Sequence, residues 1–293
     1  MPAKIVAVMN QKGGVGKTTT TVNMGAVLAN EFGRRVLLVD LDPQGNMSDH
    51  VGLDPNVTEA SVYDVIMDGV DPRTVIRRVQ GLEALPANLD LSGAEIELAG
   101  TENWNSRLKN ALSGLRGQYD YIFLDCPPSL GVLTVSGLAA ADEVIVAMEA
   151  EYLALRGISQ LVHTVDKVAA NLNPGLHVSG VLFCMFDGRT MLARDVKEEV
   201  EKYFPGKVFA TAVRKNVRLA EAPSRGMTII AYEPRCAGAD DYRDVAREFL
   251  MRSEPDPVDV AGEAIEEDIL AQTPVMRKDG DDNSQFTMHN AQL

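Results

Sequence analysis

The stretch Gln11-Lys12-Gly13-Gly14-Val15-Gly16-Lys17-Thr18-Thr19 gathers two lysines, three glycines and adjacent hydroxyls into one short segment. These residue types suit a polyphosphate. Glycines let backbone N–H groups close around phosphate oxygens, and the N-terminus of a following helix adds partial positive charge. Lys17 is placed to reach the β- and γ-phosphates and the Thr18 hydroxyl to ligand Mg²⁺. Gly13, Gly14, Val15, Gly16 and Thr19 complete the cradle. The usual spacing puts a glycine five residues before Gly16, where this chain has Gln11. A second lysine, Lys12, stands at the mouth of the loop instead. One lysine suffices for the phosphates of a single subunit. We therefore read Lys12 as a charge donated in trans across a nucleotide-sandwich dimer, in the role an arginine finger plays elsewhere. A solvated surface lysine is the plainer alternative.

Carboxylates recur where such a loop needs them. Tyr121-Ile122-Phe123-Leu124-Asp125 is an apolar run ending in an acid, a pattern that holds Mg²⁺ through water beside a phosphate loop. Leu38-Val39-Asp40-Leu41-Asp42-Pro43 ends a second apolar run with two acids. Asp40 is expected to contact the phosphate loop or the Mg²⁺ water shell, or else to cap the next helix. Pro43 and Pro127-Pro128 stiffen two segments that are expected to switch with the γ-phosphate.

These elements demand a particular scaffold. Apolar runs at 4–9, 35–40, 119–125, 143–148, 178–185 and 207–213, with a weaker one at 227–232, read as strands buried on both faces. Helical patterns fall between them at 17–32, 59–68, 92–116, 130–141, 152–172, 189–204 and 237–252. Alternating strands and helices predict an α/β fold, a doubly wound and mostly parallel sheet flanked by helices. Ligand groups should gather beyond the carboxyl ends of its strands.

Lys-Gly-Gly-Val-Gly-Lys-Thr-Thr (12–19) resembles the deviant phosphate loop of the ParA/MinD class of ATPases. Leu38–Asn46 and Asn216–Ser224 narrow the likeness to ParA/Soj-type chromosome and plasmid partition ATPases, over residues 3 to 250. The resemblance implies a slow, partner-stimulated ATPase that uses ATP and Mg²⁺. Its ATP-bound homodimer would bind double-stranded DNA without sequence preference, and a ParB-type centromere-binding protein would release it. Asp42 would then orient the attacking water, and Asn216 would lie next to adenine. The family's proline before that asparagine is replaced here by Arg214. By the same likeness Arg189 and Arg218 are the leading DNA contacts. Relatives on the same engine position carboxysomes, chemoreceptor clusters or flagella. MinD-like and metabolic ATPases, including amidoligases, share the fold.

Charge distribution bears on the partner. The chain has 293 residues and a net charge of −14. Residues 253–293 hold ten Asp/Glu against two Lys/Arg, leaving −6 for residues 1–252. Lys202, Lys207, Lys215, Arg218 and Arg225, together with Arg189, are read as a basic, DNA-facing set on an acidic protein. The expected organisation is an ATPase domain at 1–252 and an acidic, disordered tail at 253–293 with a short helix possible at 258–270. That tail lacks the basic amphipathic helix with which MinD-type relatives end. No run approaches the ~20 apolar residues of a membrane span, so a cytoplasmic, nucleoid-associated protein is expected. Cys126, Cys184 and Cys236 lie too far apart in sequence for a Cys-x-x-Cys pair, and the four histidines share no ligand spacing.

Overall fold

Val, Ile and Leu dominate the runs that become strands, and both faces of those strands are covered. The computed structural model describes residues 2–98, 100–151 and 154–253. Its strands are β1 (Lys4–Met9), β2 (Val36–Asp40), β3 (Arg77–Val79), β4 (Leu82–Leu85), β5 (Tyr121–Asp125), β6 (Glu143–Met148) and β7 (His177–Phe183). They form one sheet in the order β3-β4-β2-β5-β1-β6-β7. Every neighbouring pair is parallel except β3–β4. The expected doubly wound α/β architecture is what the chain adopts.

The helices are α1 (Lys17–Asn30), α2 (Asn46–His50), α3 (Val62–Met67), α4 (Pro72–Val75), α5 (Leu91–Leu98), α6 (Trp104–Ser113), α7 (Val132–Ala140), α8 (Ala154–Asn171), α9 (Met191–Tyr203), α10 (Val217–Glu221), α11 (Ile229–Tyr232) and α12 (Ala237–Ser253). A 3₁₀ turn, Ala222–Arg225, follows α10. Alternate strand residues feed two cores. Ile5, Ala7, Leu37, Val39, Ile122 and Leu124 face α3 and α5–α9. Val6, Val8, Leu38, Tyr121 and Phe123 face α1, α11 and α12. Phe249 of α12 closes the second core, its ring 5.1 Å from Tyr121 and 5.8 Å from Phe123. Truncating a fully buried Phe123 would cost about 3–5 kcal/mol. By internal packing the chain divides into a unit from Met1 to Leu250 and another from Met251 to Leu293. The expected acidic tail and its helix at 258–270 lie outside the described residues.

Three expectations need correction. The run 207–213 is not a strand. It lies along β7 with isolated pairings at Val181–Val208 and Phe186–Arg214. The amides of Ala210 and Thr211 donate to the Glu248 carboxylate instead, at 2.8 and 3.0 Å, which interrupts any ladder. Residues 227–232 hold the helix α11, because the Ile229 amide is taken by Asn23 Oδ1 at 2.7 Å. The single helix expected at 92–116 is two, α5 and α6, and Asn103 enters the second with a φ of 58°.

Candidate active site

β1 delivers the phosphate loop to the carboxyl edge of the sheet, with β5 and β6 as its neighbours. Gly14 and Gly16 take φ values of 76° and 92°, a backbone that L side chains rarely adopt. Gly16 is also the N-cap of α1 and supplies no side-chain cap, so the first amides of the helix stay available to a ligand. A Cβ built on Gly13 or Gly14 would meet nothing within 4 Å, whereas one on Gly16 would press on Cys184 Cβ at 3.0 Å. The loop is thus braced from behind by the residue after β7 and open in front.

Lys17 is 6% exposed, and its Nζ donates to the Lys12 carbonyl at 3.2 Å. Burial pushes its pKa down, while Asp125 and Asp42 pull it back up. A desolvated ammonium with a single carbonyl acceptor is a strong receptor for anionic oxygens. Thr18 Oγ1 donates to Asp125 Oδ2 at 2.7 Å, and Thr21 Oγ1 reaches Asp125 Oδ1 at 3.4 Å. This all-oxygen pairing suits a hard cation. Open glycines, buried ammonium and hydroxyl–carboxylate pair together fit a nucleotide triphosphate with Mg²⁺.

Strand register sets the acids side by side, Asp40 opposite Asp125. Both are fully buried. Burial raises Asp40 to about 7, opposed by hydrogen bonds from Ser48 and the Asp42 amide. Asp125 is raised by burial and then by the charge of Asp40. Asp40 Oδ2 accepts from Ser48 N and Oγ at 2.8 and 2.7 Å, and Oδ1 from Asp42 N at 3.1 Å. Asp40 therefore ties down α2, the capping alternative raised from the sequence. Asp42 lies past the end of β2 in a turn, where Oδ1 accepts from Gln44 N at 3.0 Å and the Asp42 carbonyl from Gly45 N at 2.8 Å. It is 7% exposed and close enough to Lys17 and Asp125 to influence both.

Lys12 behaves differently from Lys17. Its side chain is 48% exposed, and Nζ binds Glu149 Oε2 and Glu151 Oε2, each at 2.8 Å. Those two hydrogen bonds raise its pKa, Glu149 first. Asn10 orients the loop entrance, accepting from Lys12 N at 3.1 Å and donating to the Ala147 carbonyl at 2.7 Å. Sequence reasoning missed Asn10, Ser48, Glu149 and Glu151. A signal existed for the last two, since acids following β6 must face the loop that follows its neighbour β1.

Asn216 is the N-cap of α10, its Oδ1 accepting from Arg218 N at 2.8 Å. Arg214 is exposed, with its charge committed to an acid of its own chain. Its guanidinium is bidentate on the largely buried Asp241 of α12, Nη2 donating to Oδ1 at 2.6 Å and Nε to Oδ2 at 3.1 Å. The structure divides the predicted basic set. Arg189, Lys215 and Arg218 stand beyond the carboxyl end of β7, beside the Phe186–Arg214 pairing. Lys202 lies in the last turn of α9, and Lys207 pairs with Val181, within β7 rather than beyond its carboxyl end. Arg225 closes the 3₁₀ turn and influences Glu221. Arg189, Lys202 and Arg218 each hold a nearby acid, Asp187, Glu199 and Glu221. Cys126 is buried with its thiol pKa raised by burial, which makes it a packing residue. Among the described residues no cluster of His, Cys, Asp and Glu could hold a metal by itself, and no helix is long and apolar enough to cross a membrane.

Comparison with known proteins extends the picture. A family model described as an AAA domain matches residues 3–178. The sporulation initiation inhibitor protein Soj of Bacillus subtilis is 51% identical over 247 residues, covering 84% of this chain and 97% of the relative. The chromosome partitioning protein ParA of Caulobacter vibrioides is 44% identical, covering 86% and 95%. Among solved structures, one described as cobyrinic acid a,c-diamide synthase from Mycobacterium smegmatis with bound ADP and magnesium is 40% identical. It superposes with a TM-score of 0.76, covering 86% of this chain and 96% of that one.

Proposed function

The chain belongs to the Soj/ParA family of partition ATPases, and from that premise we propose that it is an ATP-driven, DNA-partitioning dimer. The carrying observation is the division of labour between two lysines. Lys17 is buried inside the loop, and Lys12 stands half-exposed outside it on a removable pair of carboxylates. ATP and Mg²⁺ would be held by the backbone of Gly13–Thr19, by Lys17, and by Thr18 with Asp125. Mg²⁺ supplies charge neutralisation across the β- and γ-phosphates when bound. Asp42 holds and orients the attacking water and takes up its proton. Asp40 fixes the turn that carries Asp42, and its carboxylate would help hold Mg²⁺ through water. Asn216 keeps α10 in place beside the base.

In the dimer Lys12 leaves Glu149 and Glu151 and neutralises the triphosphate held by the facing protomer. Pairing then sets two copies of Arg189, Lys215 and Arg218 side by side, with Lys202, Lys207 and Arg225 extending each patch. Contacts to phosphates rather than bases make the binding indifferent to sequence. The DNA-bound dimer would sit on the nucleoid in the cytoplasm until a ParB-type partner accelerates hydrolysis and releases it. The test is co-sedimentation with random-sequence DNA in ATP, ADP or no nucleotide at several salt concentrations. Retention with ATP alone, falling steeply with salt, is the expected result. Equal retention in all three states would refute it.

A second reading follows from the name of the Mycobacterium smegmatis structure: ATP-dependent amidation of cobyrinic acid. It predicts amide formation from cobyrinic acid, ammonia and ATP, readable by mass spectrometry. The partition reading is preferred because relatives named for chromosome partitioning reach 47% identity against 40%.

A further inference from the structure

The hairpin turn between β3 and β4 carries a residue that the nucleotide site does not use. Gln80 and Gly81 have φ values of 48° and 79°, as a two-residue type I′ turn requires. Asn is the residue that best tolerates the first of these positions. Gln80 accepts the same backbone with a side chain one methylene longer, and the amide uses that reach. Nε2 donates to the carbonyls of Val51 at 3.1 Å and Gly226 at 2.6 Å, and Oε1 accepts from Thr228 N at 3.0 Å. One side chain therefore joins the end of α2 to the segment 226–228.

The same junction is tight elsewhere. A Cβ on Gly226 would lie 2.9 Å from Gly52 Cα. His50, buried in α2, meets the backbone of Met227. At its other end α2 is tied to the phosphate site, through Ser48 on Asp40 and the Gly45 amide on the Asp42 carbonyl. Residues 226–228 follow directly on Arg225 and the turn that continues α10, which carries Arg218. α2 is a short link, five residues long.

We propose that Gln80 is a positioning residue that couples the phosphate-sensing end of β2 to the DNA-facing segment Asn216–Arg225, with α2 as the link. This inference rests on the partition reading above. A change in the 42–45 turn when the terminal phosphate arrives is passed through α2 to Gly226 and re-aims Arg218 and Arg225. Gln80 is exposed, so its loss leaves both cores intact.

Two full-length variants test it. Gln80→Gly relieves the positive φ while removing the clip. Gln80→Glu keeps the acceptor for Thr228 and sets a carboxylate against two carbonyls. Binding to a random-sequence duplex is measured by anisotropy in ATP and in ADP, with dimer mass by light scattering in parallel. Both variants should form the ATP dimer as wild type does, and their ATP-over-ADP preference for DNA should fall at least about fivefold. A preserved preference in both overturns the coupling alone. Loss of the ATP dimer in both also overturns it, because the clip would then be holding the fold. A wild-type protein whose DNA binding ignores nucleotide overturns the partition reading and the coupling with it.

Discussion

The interior of the phosphate loop and its rim are built on opposite principles. Inside, Lys17, Asp40 and Asp125 are buried, aligned by strand register and perturbed in pKa by burial. At the rim and beyond, Lys12, Arg189 and Arg218 are exposed, and each leans on a carboxylate of its own chain. Buried charges are costly to rearrange, and exposed pairs are worth only about 0–1 kcal/mol. Capture of nucleotide is therefore preformed, while the groups that would act on a second protomer or on DNA are held by bonds weak enough to exchange.

The contrast yields a graded set of tests. Lys17→Ala, which empties the interior of its ammonium, should weaken ADP binding by at least about a hundredfold in calorimetry, as removal of a buried charge partner does. A loss of only a few-fold would mean the interior is no more preorganised than the rim. Asp42→Ala should leave ATP affinity within about threefold while slowing turnover by roughly 10²–10⁴, the worth of a positioned base. Its ATP dimer should then persist on DNA, seen as slow release in single-turnover experiments. Arg218→Glu should spare ATP dimerisation and lower the salt slope of DNA binding by about 1–2 per protomer. An unchanged slope would remove Arg218 from the DNA face. Glu149→Gln with Glu151→Gln should act least and in the opposite direction, strengthening ATP-dependent dimerisation about two- to fivefold in sedimentation equilibrium, as expected for release of exposed pairs. Weaker dimerisation would show that the two acids help Lys12 in trans.

What the sequence made legible follows the same division. The loop, α1 and Asp125 could be read because glycine, lysine and hydroxyl at fixed spacing have few other uses, and long apolar runs announce β1, β5 and β6. The family likeness was legible from the loop together with 38–46 and 216–224. The partners of Lys12 were not, because Glu149 is 137 residues away and meets it only through strand order. The 207–213 run misled for a physical reason. Its composition is that of a strand, yet a carboxylate from α12 takes two of its amides. β3 and β4 were too short to stand out, and Gln80-Gly81 between them is not the Asn-Gly or Asp-Gly that marks a two-residue hairpin. Arg214 could not be placed from sequence either, since its partner Asp241 lies on a helix 27 residues later.

The two borders of the sheet have a bearing on how such molecules crowd. One border ends in β3, three residues long, antiparallel, with Arg77 and Arg78 both turned to solvent. The other is screened by the segment 207–213, which lies along β7 without extending the ladder. Neither border offers a long row of unused backbone donors and acceptors, and the short one carries charged side chains, Arg77 and an Arg78 paired with Glu83. Copies brought together at high local concentration would thus be kept from fusing strand to strand.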